Sequence, residues 1–64
     1  MEYFKAKNDK QLGVCIRMLL AEKICDIHLK PMLNERHKAE FYISVNVDDV
    51  TFQVLKERYE TLIS

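Results

Sequence analysis

The chain has 64 residues, 48% of them hydrophobic and 31% charged, and its ten basic side chains balance ten acidic ones. That length holds a single domain, residues 1–64, and excludes a second core. Zero net charge excludes a global field that would draw the protein to nucleic acid or an acidic membrane, and the longest apolar run, Met18–Ala21, is far too short to cross a bilayer.

Glu2–Ala6 reads as a short strand, with Phe4 facing the core and Tyr3 and Lys5 facing out. Asn8 or Asp9 can cap a helix, and Gln11 follows Asn8 at capping-box spacing. The helix is expected from about Asp9 to Lys23. Leu12, Cys15, Ile16, Leu19 and Leu20 form its core arc, and a second strip, Val14, Met18 and Ala21, lies on nearly the opposite side. A monomer's surface helix needs no second apolar strip; these residues are either lateral contacts with the second helix of the same subunit or a contact surface, and the contact surface is the reading taken for Val14 and Met18.

Ile24–Lys30 is the next predicted strand, with Cys25, Ile27 and Leu29 inward and Asp26, His28 and Lys30 outward. Pro31 cannot donate to a ladder and belongs at an edge or at the end of pairing. Asn34–Lys38 is the polar turn of a hairpin, expected to be a long, mobile loop because no short Asn-Gly or Asp-Gly signal is present. Phe41–Val47 is the clearest strand: Phe41, Ile43, Val45 and Val47 alternate with Tyr42, Ser44 and Asn46. Asp48 then caps a closing helix over about Asp49–Ile63, and Asp49 adds favourable charge at its start. Phe52, Leu55, Tyr59, Leu62 and Ile63 make its apolar arc, while Val50 and Val54 fall on another side.

Strand, helix, strand, strand, helix with a right-handed crossover makes the first two strands parallel and puts the third between them. The expectation is an α+β two-layer sandwich: a three-stranded sheet, order 1-3-2, with two helices on one face. This β-α-β-β-α order resembles the ferredoxin-like fold lacking its last strand. The first strand should then keep a free edge, and a free edge together with a small core points to a homodimer.

Chemistry is sparse. There is no nucleophile elbow, glycine-rich phosphate loop or evident cleft with paired carboxylates, and both cysteines are placed in the core as small hydrophobes. Asp26 and His28, with Glu35 and His37 from the loop, are too poorly matched in number and placement for a metal site. No cofactor and no catalytic set is expected. Two cysteines are too few for a disulfide framework, and residues 1–11 lack the apolar stretch of a secretory leader, so a reduced, cytoplasmic protein is expected.

The predicted open face carries Tyr3, Lys5, Asp26, His28, Lys30, Tyr42, Ser44 and Asn46. Tyrosines on strands one and three resemble the RNA-recognition motif, and the likeness implies base stacking by Tyr3 and Tyr42. The element order is also shared with the regulatory domains of the ACT family, which implies an effector near Lys7 and Asn8. The leading expectation is a small interaction or regulatory protein that binds a partner protein, as a homodimer. Its candidate interface is Val14, Met18, Ala21, Val50, Val54, Tyr3 and Lys5. The alternative is a single-stranded nucleic-acid-binding module using the open face.

Overall fold

The computed structural model describes residues 3–64; Glu2, assigned above to the first strand, lies outside the described residues. The elements are β1 (Phe4–Ala6), α1 (Asp9–Ala21), β2 (Ile27–Leu33), β3 (Ala39–Val45) and α2 (Asp49–Ile63). The sheet runs β1-β3-β2, and both outer strands are antiparallel to β3, hence parallel to each other. The expected α+β architecture is present, with element order and strand order as read.

Local chemistry sets the element ends. Asn8 Oδ1 accepts from the Gln11 amide at 2.9 Å, and Gln11 Oε1 accepts from the Lys7 amide at 2.9 Å, so two backbone donors at the start of α1 are satisfied reciprocally. At the other end the Lys23 amide donates to the Leu20 carbonyl and the Ile24 amide to the Leu19 carbonyl. This is a Schellman closure, with Lys23 left-handed at φ 62° and Ile24 packed back on the core. It stops α1 at Ala21, short of the expected Lys23. It also consumes Ile24, which is why β2 begins at Ile27 and runs on through Pro31 to Leu33. Cys25 is left exposed in the connection instead of facing the core.

The hairpin turn is pinned by one side chain. Asn34 Oδ1 accepts from the amides of Arg36 and Lys38, at 2.9 and 3.1 Å, and the Asn34 amide donates to the Lys38 carbonyl at 3.0 Å. The expected long, mobile loop is thus a closed turn with His37 in the left-handed region.

Phe4, Ala6, Cys15, Met18, Leu19, Ile43, Phe52, Leu55 and Tyr59 are buried. Both strands β1 and β3 contribute to this core; β2 does not. Phe4 holds the two layers together, with its ring 4.8 Å from that of Phe52 and 5.7 Å from that of Tyr59, the latter edge-on.

The buried arc of α1 is rotated from the expected one. Met18 is 6% exposed and sits in the core, and Val14 is partly buried against it, whereas Leu20, assigned to the core arc, is 52% exposed. The reason is the neighbouring helix. Val14 lines a cleft with Leu62 and Ile63, so the Val14/Met18 flank faces α2, and the arc widens toward that helix.

Lys23 gives a direct test of this account. A lysine in the left-handed region costs about 1 kcal/mol relative to glycine, so Lys23→Gly is expected to raise the stability measured by urea unfolding by roughly that amount.

Candidate functional site

The open sheet face presents Tyr3, Lys5, Lys30, Tyr42 and Ser44, with His28 opposite Ser44 and Lys30 opposite Tyr42 in the ladder. Its groups are largely paired with one another. The Tyr3 and Tyr42 rings meet edge-on at 4.8 Å, with an interplanar angle of 76°, so they pack together and do not lie flat as two stacking platforms. Lys5 Nζ is 3.2 Å from Glu40 Oε2, and Asn34 Nδ2 donates to Glu40 Oε1 at 3.0 Å. The Asn34 and Lys5 hydrogen bonds hold the Glu40 carboxyl below its ordinary value, and Glu40 in turn raises Lys5.

Asp26 and Asn46 lie just outside the strands, where they line a shallow depression with His28, Ser44 and Val45. His28 Nε2 and Asp26 Oδ1 are 3.1 Å apart, both largely exposed. Glu35 and His37 sit at the opposite end of β2, so the four potential ligands are not brought together. Among the described residues no group of three or more His, Cys, Asp or Glu side chains could hold a metal ion. Near the Lys7–Asn8 loop, a cleft of about 320 Å³ lies between the start of α1 and the end of α2, but the Lys7 amide and the Asn8 side chain are already engaged in the cap.

Both sheet edges are blunted by the chain itself. Pro31 has no amide hydrogen, so its place in a regular ladder is one where the backbone nitrogen faces away from β3. Alternation then turns the groups of Ile27, Leu29 and Leu33 to the same free edge. Of these, the Ile27 amide is taken by the Cys25 carbonyl at 3.0 Å. The same alternation, carried across β3, turns the groups of Lys5 outward from β1, and there the Tyr59 hydroxyl donates to the Lys5 carbonyl at 2.8 Å. β1 is an edge strand paired only with β3, as the sequence led us to expect, and α2 occupies one of its outward acceptors.

The helix-side face of β2 is different. Ile27, Leu29, Pro31 and Leu33 stand opposite Val45, Ile43, Phe41 and Ala39, on the face that elsewhere carries the core. Yet Leu29 is 47% and Leu33 69% exposed, while Ile43, directly opposite Leu29, is fully buried. No helix covers β2. Leu20, likewise exposed, is on the α1 flank away from Met18.

The other expected contact residues are scattered. Val50 and Val54, 73% and 53% exposed, lie on the outer side of α2, and Ala21 is exposed near the end of α1. Tyr3 and Lys5 are on the open face, and Met18 is unavailable because the protein's own core uses it. Sequence reasoning missed Leu33 and the exposure of Leu29 and Leu20. The alternation Ile27, Leu29, Pro31, Leu33 was a signal for a strand face, but nothing in it tells whether a helix lies above. Comparison with protein-family models, with curated proteins and with solved structures finds no match to the chain.

Two measurements check the local chemistry. Cys15 is buried, with its thiol pushed up to about 12 by desolvation, whereas Cys25 is exposed; iodoacetamide should therefore label Cys25 in the native protein and reach Cys15 only on unfolding. Because the folded-state pKa of Glu40 is depressed, its contribution to stability is present above the ordinary glutamate range and is lost as pH falls through the lowered value. A carboxyl NMR titration should place Glu40 below a free glutamate, and Asn34→Ala should move it back up.

Proposed function

We propose that this chain is a small regulatory interaction protein of the cytoplasm that binds a partner protein and carries out no reaction of its own. One observation carries the reading: Leu29 and Leu33, on the apolar face of an otherwise well-buried sheet, stand uncovered. A sheet strand with an apolar face is stable in water when something lies over that face, and contiguous apolar surface on a small protein marks a contact site. The two blunted edges favour face-to-face docking over strand addition. Unpaired thiols at Cys15 and Cys25 support a reducing compartment.

The other reading, a single-stranded nucleic acid on the open face, draws on Tyr3 and Tyr42. Their edge-on pairing and the pairing of Lys5 with Glu40 weigh against it.

Affinity capture from the native host, comparing the tagged chain with its Leu29→Ser/Leu33→Glu variant, tests the choice. Proteins held by the unaltered chain should drop about tenfold or more with the variant, since truncating interface anchors commonly costs over 1 kcal/mol each. Equal capture by both, or capture abolished by nuclease and by Tyr3→Ala/Tyr42→Ala, would overturn the protein-contact reading.

A further inference from the structure

We infer that the occupant of the bare β2 face is a second copy of this chain, packed face to face about a two-fold axis with the two β2 strands antiparallel. The inference rests on the reading of β2 as a contact surface and goes beyond it by naming the partner and its orientation.

Charge distribution along the hairpin selects both. At the turn end, Arg36 and Lys38 outnumber Glu35, and Lys7 stands beside them across a shallow depression. At the opposite end β2 starts just after Asp26, which pairs with His28, and β3 leads into Asp48 and Asp49; these three carboxylates outnumber Lys23, and the nearby Glu22 is spent on Arg58 from α2. The hairpin therefore has a basic turn end and an acidic open end. Two parallel copies would set like against like. An antiparallel two-fold pair sets each basic turn on the other copy's acidic end, which supplies the register that a purely apolar strip leaves undetermined.

The chemistry of the strip agrees with self-pairing. In a two-fold arrangement centred on β2, Leu29 of one copy meets Pro31 of the other, and Leu33 meets the part of Ile27 that its own core leaves exposed; all are apolar, so each residue finds a compatible partner under the same operation. The backbone edges do not compete, because Pro31 and the Cys25–Ile27 bond leave β2 a poor template for strand addition. Ten positive and ten negative side chains mean that two copies carry no net repulsion. The nine-residue buried core, with no member from β2, is the kind of small interior that association commonly supplements.

Sedimentation equilibrium on the purified chain, from about 1 μM to about 1 mM, tests the inference. The expected result is a monomer–dimer equilibrium whose dissociation constant rises at least about tenfold in Leu33→Glu and in the milder Leu33→Ser, and stays unchanged in Val50→Glu on the outer side of α2. Both positions are exposed, and circular dichroism confirms that each variant is folded. Orientation is tested by charge reversal. Arg36→Glu/Lys38→Glu and Asp26→Lys/Asp48→Lys should each weaken self-association, and mixing the two should restore a dimer containing one of each.

A monomer at every concentration overturns the second copy as occupant; if host capture is still lost in the Leu29→Ser/Leu33→Glu variant, the contact-surface reading survives that failure. A dimer indifferent to Leu33→Glu overturns the assignment of the dimer to this face. A dimer broken by Leu33→Glu, with no recovery in the charge-reversed mixture, overturns the antiparallel arrangement.

Discussion

The structure depends on how α2 is fastened to β1. Phe4 packs its ring against Phe52 and Tyr59, and the Tyr59 hydroxyl reaches past them to the Lys5 carbonyl on the outer side of the strand. Each aromatic pair contributes about 0.5–1.5 kcal/mol beyond its buried area, and the hydroxyl adds about 1 kcal/mol. These contacts hold α2 against β1. Burial around the hydroxyl, with Cys15 nearby, raises Tyr59 to about 12, so the group remains a hydrogen-bond donor throughout the neutral range.

Everything on the far side follows from that placement. With α2 held to β1, α1 packs its Val14/Met18 flank against α2. Two helices so placed bury Phe4, Ala6 and Ile43, and β2 beyond Ile27 is left bare. The same helix that blunts the β1 edge therefore creates the exposed strip at Leu29 and Leu33.

Hairpin chemistry reinforces the division. Asn34 closes the turn and also donates to Glu40, which ties the turn to the Lys5 pair on the open face. The open face is thereby occupied by its own partners. Pro31 keeps the long edge strand from acting as a template, while the apolar side chains around it remain available.

The strands and helices, their order and the sheet topology were legible in the residues, because alternation, helical spacing and the cap at Asn8 are local properties of short segments; Asp48 starts α2 without a side-chain cap hydrogen bond. Where reading by segment went astray, the cause was non-local or a conformation that residue type argues against. A left-handed Lys23 closed α1 early and pushed β2 three residues on, although lysine is a poor choice for that backbone. Met18 and Leu20 exchanged places because the wheel of α1 shows an apolar arc but not the side on which α2 will lie. Leu29 was read correctly as facing the helices, yet its exposure depends on how far those helices extend. The sequence by itself determined the elements, their order and which side chains share a face, since these follow from backbone periodicity. Only the tertiary structure decided which of those faces is covered, since that depends on two helices settling where Phe4 and Tyr59 hold them.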